Sequence, residues 1–284
     1  MPMPVPGRYC GYDLLIDSSI VIPGAMLLDD ATQPPDIVIS YGRCAVPAEA
    51  TARLGPYRLR GTSLYFEADG VAIYRCDAGR SITVQPSPDA DDAVVAGLLI
   101  ATALPALLWM RGEIVLHAAA VAMPGSGEAI AITGPSGSGK STLLAQLLDA
   151  GASVVADDTI CVRMRGERCW VSGLPGGYFS VGTIVEERPY HTVTVDRQRR
   201  AMPLAALFVL GLAMDARDAA LDRAAALSAL LRARHRPRAV AILRGEGVAL
   251  QQLALLTRRL QVYDLARPAG KQGLHETIAR LELS

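Results

Sequence analysis

Apolar positions change their spacing twice along the chain. Up to about residue 92 they fall in short runs, at 12–16, 37–40, 57–59, 64–67, 71–75 and 81–84, separated by Pro and Gly clusters. Runs of that length bounded by turn residues read as strands, so residues 1–92 are expected to form a small β-rich N-terminal domain. The stretch PSPDADD at 86–92 reads as a linker whose acidic end caps a helix at Ala93. That helix, 93–110, is an almost uncharged run of about 18 residues, near the minimum for a membrane span. It is Ala-rich, carries Gly97, Thr102 and Pro105, and leads through Arg111-Gly112-Glu113 straight into another apolar segment. We read it as a buried core helix rather than a membrane helix.

Beyond it, strands and helices alternate. Strands are expected at 114–122, 129–133, 153–156, 159–164, 205–210 and 261–264, with a turn at 124–127. Helices are expected at 141–150, 219–234, 248–259 and 273–283. The pattern predicts an α/β nucleotide-binding domain over residues 93–284.

Composition narrows the functional classes. The 284 residues are half apolar, and 28 basic side chains balance 28 acidic ones. Nothing global therefore points to nucleic acid or an anionic membrane surface, and any anion recognition must be local. Cys10, Cys44, Cys76, Cys161 and Cys169 are odd in number and show no Cys-x-x-Cys spacing, which argues against a disulfide framework or zinc site. The start, MPMPVPGRYC, lacks the basic-then-apolar pattern of a signal peptide. A cytoplasmic setting is the expectation. Lys140 and Lys271 are the only lysines in a chain that otherwise uses arginine, and Lys140 lies where a compact ammonium serves better than a planar guanidinium.

That place is Gly134-Pro135-Ser136-Gly137-Ser138-Gly139-Lys140-Ser141-Thr142, which has the Gly-x-x-x-x-Gly-Lys-Ser form of a phosphate-binding loop. Glycines let main-chain amides converge on phosphate oxygens, and the following helix adds its N-terminal dipole. Lys140 is expected at the β- and γ-phosphates of ATP, Ser141 on Mg²⁺, and Thr142 at the helix start as a candidate cap. The strand before the loop and the leucines at 143, 144, 147 and 148 after it give the required strand-loop-helix order.

Asp157-Asp158 closes the segment 153–156. A helix of about ten residues runs roughly 15 Å from the phosphate site, and a strand of about five returns roughly 16 Å. A parallel crossover then brings both acids back to the nucleotide edge. Carboxylates there can hold Mg²⁺ or take the proton of an attacking hydroxyl. A hairpin between 114–122 and 129–133 would set His117 opposite Gly134, where it could tune or relay the proton of Asp157.

His117-Ala118-Ala119-Ala120-Val121, the loop, and Ala156-Asp157-Asp158, in this order and spacing, resemble the C-terminal catalytic domain of bacterial HPr kinase/phosphorylase. The resemblance covers roughly residues 116–162 and implies a P-loop core of the kind also related to phosphoenolpyruvate carboxykinase. It implies phosphate and Mg²⁺ binding by Lys140 and Ser141, Asp157 as general base, Asp158 as its metal-linked partner, and His117 as an assistant. Residues 173–179, GLPGGYF, stand where the HPr enzymes carry a Glu/Arg-containing loop used in dephosphorylation. The whole chain looks more like the related lasso peptide kinases, which phosphorylate the C-terminal serine of a precursor peptide. Homo-oligomerisation is also implied, since related catalytic domains commonly form rings.

The segment 188–200, RPYHTVTVDRQRR, is basic and poorly periodic and reads either as a mobile lid over the γ-phosphate or an acidic peptide, or as a solvated loop. The arginine-rich helix near 232–238 reads as surface. His191, His235 and His275 show no metal-ligand spacing. The combined expectation is a Mg-ATP-dependent kinase acting on a serine of a peptide, most specifically a lasso peptide precursor, with no nucleic-acid or membrane partner. The alternatives are a serine kinase of an HPr-like carrier protein and an ATP-binding regulatory protein without transfer activity.

Overall fold

The computed structural model describes residues 7–29, 32–179, 190–212 and 217–267. The expected helix 273–283 and Lys271 lie outside them, as do residues 188 and 189. In chain order the first strands are β1 (Gly7–Gly11), β2 (Leu14–Ser18), β3 (Met26–Leu28), β4 (Ile37–Tyr41), β5 (Ala52–Leu54), β6 (Tyr57–Arg60), β7 (Ser63–Ala68), β8 (Ala72–Asp77) and β9 (Ser81–Pro86). Then come α1 (Asp92–Leu98), a π-helical turn (Leu99–Ala103) and α2 (Leu104–Met110). They are followed by β10 (Ile114–Ala122), β11 (Ala129–Thr133), α3 (Lys140–Asp149), β12 (Ser153–Ala156), β13 (Thr159–Arg165), β14 (Arg168–Ser172), β15 (Gly177–Phe179) and β16 (Tyr190–Thr192). The last elements are β17 (Ala201–Leu212), β18 (Arg217–Ala220), α4 (Arg223–Ala233), α5 (Pro237–Arg244), α6 (Glu246–Leu256) and β19 (Gln261–Arg267). The fold is mixed α/β with more than one sheet.

Two compact units divide the chain: Met1–Val115 with His235–Gln251, and Leu116–Arg234 with Gln252–Ser284. The helical stretch after the linker packs within the first unit, against β8 and β9.

The first unit is a nine-stranded sheet in the order β3-β1-β2-β4-β9-β8-β7-β6-β5. Pairing is antiparallel except for β2 with β4 and β4 with β9, which run parallel. Tyr12 and Asp13, expected inside a strand, instead make the turn between β1 and β2, both with left-handed φ, 55° and 59°. Two positive φ values are what a two-residue hairpin needs to match strand twist. Tyr12 remains buried all the same, which is why its apolar character misleads. Asp91 Oδ1 caps the following helix by accepting from the Ala93 amide at 2.7 Å, as expected.

The helix 92–110 is long and apolar enough to span a membrane by length and composition, and 61% of its apolar window is buried. Val95, Leu99, Leu104, Leu107 and Leu108 are fully buried, and Tyr74 Oη donates to the Val95 carbonyl at 2.8 Å. Its mid-point departs from α geometry at the π turn, for which Pro105 supplies a cause. Proline has no amide to give the carbonyl four residues back, and that carbonyl, of Ala101, accepts from Arg236 Nε at 2.6 Å instead. Trp109 Nε1 similarly donates to the His235 carbonyl at 3.0 Å.

In the second unit, β10 pairs antiparallel with β11 and β12 and also neighbours β13. The 12-residue β17 does double duty: Ala201, Met202 and Pro203 pair antiparallel with β14, while Leu204 to Val209 pair parallel with β11. β19 continues the sheet beside β17, and β18 follows it. Residues 219 and 220, expected to begin a helix, belong to strand β18 because Ala219 and Ala220 pair with Asp264 and Tyr263. The helix starts only where Asp222 caps it, accepting from the Ala225 amide at 2.8 Å. Helix α3 buries Leu143, Leu144, Leu147 and Leu148 against Val121, Ile132, Val154, Phe208 and Leu210. Burial of each such leucine contributes roughly 1.5–3 kcal/mol, which fixes the start of α3 firmly over the sheet. All five cysteines are buried.

Replacing Arg236 with Met leaves the Ala101 carbonyl without its guanidinium donor. The expected loss is about 1–3 kcal/mol, read by urea unfolding of the full chain, and a stability equal to that of the parent would refute the proline-compensation account.

Candidate functional site

The glycine-rich loop runs from the end of β11 to the start of α3. Gly134 (φ 155°), Gly137 (φ 80°) and Gly139 (φ 94°) all adopt positive φ, a region costly for residues with a Cβ. At Gly134 space is short as well, since a Cβ would run into the Leu210 carbonyl oxygen and lie 2.9 Å from Ser138 Oγ. Around Gly137 nothing lies within 4 Å of the same position. The Ser138 amide donates to the Pro135 carbonyl at 3.2 Å, and the Leu143 amide to Gly139 at 2.9 Å, where helical bonding begins.

No side chain caps α3, whose N-cap is Gly139. Thr142 is thus an exposed first-turn residue, not the cap considered from sequence. The first-turn amides of a helix have no intrahelical partner, and with the helix dipole they make an anion site. Lys140 Nζ donates to the carbonyls of Gly134 (2.9 Å) and Pro135 (3.2 Å), so the ammonium folds back over the loop.

β10 ties this loop to the acid pair. Its register with β11 sets Ala118 opposite Thr133, so the next pair outward is His117 and Gly134, as the sequence predicted. Thr133 Oγ1 donates to the His117 carbonyl at 2.8 Å. On the other edge of β10, the Ala118 amide donates to the Asp158 carbonyl at 3.2 Å.

The crossover from β11 through α3 to β12 is parallel, as expected, but β12 does not adjoin β11. β10 lies between them, antiparallel to both, and two strand spacings separate loop strand from acid strand by roughly 10 Å. The register shifts between Ala120 and Val121 opposite β12. Such a bulge re-aims the side chains that follow it, here Asp157 and Asp158.

The two acids diverge. Asp158 takes a left-handed φ of 65°, a conformation Asp tolerates better than most residues. Its carboxylate Oδ1 lies 3.5 Å from His117 Nδ1, and its carbonyl oxygen lies 3.0 Å from the same nitrogen. A carbonyl only accepts, so that bond needs the proton on Nδ1. His117 was expected to serve Asp157; its neighbour is Asp158, because the left-handed turn brings the second acid, main chain included, back to β10. Both side chains are about one third exposed.

The charge of Asp157 bears on two tyrosines. Burial, with the Asp157 charge adding, pushes the Tyr190 phenol up to about 12. Burial also raises Tyr178, with Asp149 and Asp157 adding to it and Arg197 opposing. These tyrosines belong to the β15–β16 hairpin, in which Tyr178 pairs with His191 and stacks on it at 5.0 Å between ring centroids. A Cβ on Gly177 would collide with the Tyr190 ring, so that glycine makes room for it. Sequence reasoning passed over both tyrosines. The GLPGGYF glycines are the only sign of the close approach.

Part of the arginine-rich segment is tied to α3 and β12. Arg197 Nη2 donates to the Ala152 carbonyl at 2.6 Å and also to that of Leu148, at the C-terminal end of α3. The Arg199 amide donates to Val154 at 2.8 Å, and Gln198 forms a parallel bridge with Val154. The carbonyls left open where α3 ends engage the Arg197 guanidinium.

No family model matches the chain, and no curated protein matches it in sequence. Among solved structures it is similar to the HPr(Ser) kinase/phosphatase from Coxiella burnetii, with 16% identity and a TM-score of 0.36, over 60% of this chain and 95% of that one.

Gly134→Ala is expected to destabilise the chain by about 1–3 kcal/mol, because the new Cβ meets fixed backbone. Gly137→Ala, strained in φ but surrounded by space, should cost about 1 kcal/mol. Urea unfolding of the two variants decides, and a Gly134→Ala no worse than Gly137→Ala would contradict the steric argument.

Proposed function

We propose that the chain is a Mg-ATP-dependent phosphotransferase that moves the γ-phosphoryl group to a serine hydroxyl of a peptide. The observation that carries this is the convergence at one end of the sheet of an uncapped helix N-terminus, preceded by three positive-φ glycines, with an acid pair hydrogen-bonded through β10. The resemblance to the lasso peptide kinases narrows the acceptor to the C-terminal serine of a precursor peptide.

In this reading the loop amides and the first turn of α3 receive the β- and γ-phosphates. Lys140 exchanges its two carbonyl partners for phosphate oxygens, a substitution that costs little because those carbonyls are exposed or half-exposed. The donor set fits Mg²⁺, with a hydroxyl at Ser141 and carboxylate oxygen at Asp158, both hard ligands. The ion, when bound, neutralises charge on the β- and γ-oxygens. His117 holds Asp158 in orientation. Asp157 accepts the hydroxyl proton as the serine oxygen bonds to the γ-phosphorus. The bond from that phosphorus to the β,γ-bridging oxygen breaks, and its electron pair leaves with ADP. Positioning and charge neutralisation supply most of the rate.

Transfer of labelled γ-phosphate from Mg-ATP to serine-containing peptides tests the reading. Asp157→Asn should lower kcat by roughly 10²–10⁴-fold and leave nucleotide affinity within about twofold. Lys140→Ala should weaken nucleotide binding itself by at least about tenfold. Wild-type kcat in Asp157→Asn would overturn the assignment of the base. Tight Mg-ATP binding without labelling of any serine peptide or HPr-like carrier would identify a nucleotide-binding protein that does not transfer.

A further inference from the structure

Beside the loop, and wholly within the second unit, lies a cavity of about 210 Å³ lined by His117 and Thr133 of the β10–β11 pair, the loop residues Gly134 and Pro135, Val209 paired beside Thr133, and Ala229, Arg232 and Ala233 of α4. Drug-sized ligands occupy roughly 300–1,000 Å³, so the cavity is too small for a nucleoside triphosphate and suits a single residue of a larger molecule. It touches the loop only at Gly134 and Pro135. The helix start that would hold phosphate, residues 139–142, does not line it.

Its wall chemistry is specific. Val209, Ala229, Ala233 and Pro135 give an apolar lining, and Thr133 Oγ1 is already engaged with the His117 carbonyl. The charged group is Arg232. Its Nη1 donates to Ser228 Oγ, one helical turn earlier, at 2.6 Å, which steadies the side chain along α4 while the rest of its planar fork remains available to a bidentate anion. His117 lines the same cavity, and its imidazole lies 3.5 Å from the Asp158 carboxylate. The cavity thus offers a seated residue two polar groups, an imidazole beside Asp158 and a guanidinium.

We infer that this cavity is the acceptor subsite and that Arg232 is a specificity-determining residue for a serine whose hydroxyl is flanked by a carboxylate. The inference rests on the phosphotransferase reading for the identity of the hydroxyl, but the carboxylate preference is a binding property that exists with or without transfer. The carboxylate has two possible sources, the terminal α-carboxylate of the peptide or the side chain of an adjacent acidic residue.

The probes are three fluorescein-labelled peptides: Gly-Ala-Gly-Ser as free acid, the same peptide as C-terminal amide, and Gly-Ala-Asp-Ser as amide. Fluorescence anisotropy with the full-length protein should show at least about tenfold tighter binding of one acidic probe than of the neutral amide, and the preferred probe names the source. Arg232→Gln, a good helix former at an exposed position, should bind all three within about twofold of one another. Arg232→Lys should retain part of the preference, because it keeps the charge and loses the fork. Equal binding of the three probes by the wild type, absence of binding, or a preference that survives in Arg232→Gln would each overturn the inference. A preference that Arg232→Gln abolishes, in a protein that transfers no phosphate, would uphold the subsite and refute the kinase reading.

Discussion

The hydrogen-bonded register of β10 is the constraint on which the site depends. One edge of this strand carries β11 and thereby the glycine-rich loop; the other carries β12 and thereby the acid pair. Residues 117 and 118 sit at the crossing, with the His117 carbonyl bound by Thr133 and the Ala118 amide bound to Asp158. A slip of one residue would turn every β10 side chain to the opposite face, taking His117 away from Asp158. The strand is buried at eight of its nine positions, His117 being the half-exposed one. Burial of the remainder holds the register that presents that single polar side chain.

The loop is held from its other end by the leucine face of α3. With that helix packed over the sheet and its C-terminal carbonyls occupied by Arg197, its N-terminus is a fixed dipole end facing the loop glycines. Preorganised amides of this kind cost no rearrangement when an anion arrives. Lys140 donates to two carbonyls of the loop itself. Around this rigid frame the two acids take different surroundings, Asp158 with an imidazole and Asp157 with tyrosines, which supports assigning them different work.

Much of this was legible from residue pattern, and the reasons are physical. The hairpin of β10 and β11 could be read because a Pro-Gly-Ser-Gly turn separates two apolar runs, and that turn determines the pairing. The loop and helix could be read because glycine spacing and leucine periodicity are local signals. What could not be read is which strand intervenes. The lengths of α3 and β12 return the acids to the correct end of the sheet but say nothing of β10 lying between, so the expected adjacency failed although the end was right. Tyr12 and Asp13 were assigned to a strand because their left-handed turn contains no glycine. Ala219 and Ala220 favour a helix locally, and their pairing with β19 overrides that preference. Tyr190 and Arg232 are far in sequence from the loop and carry no motif, so only the fold reveals them.

A crystal structure of the chain with magnesium and a non-hydrolysable ATP analogue tests the central claim most directly. The account predicts the polyphosphate on the amides of residues 137–142, Lys140 Nζ moved from the Gly134 carbonyl to a phosphate oxygen, and the terminal phosphate facing Asp157 and Asp158. A nucleotide bound elsewhere, or Lys140 still on its two loop carbonyls beside a bound triphosphate, would contradict it.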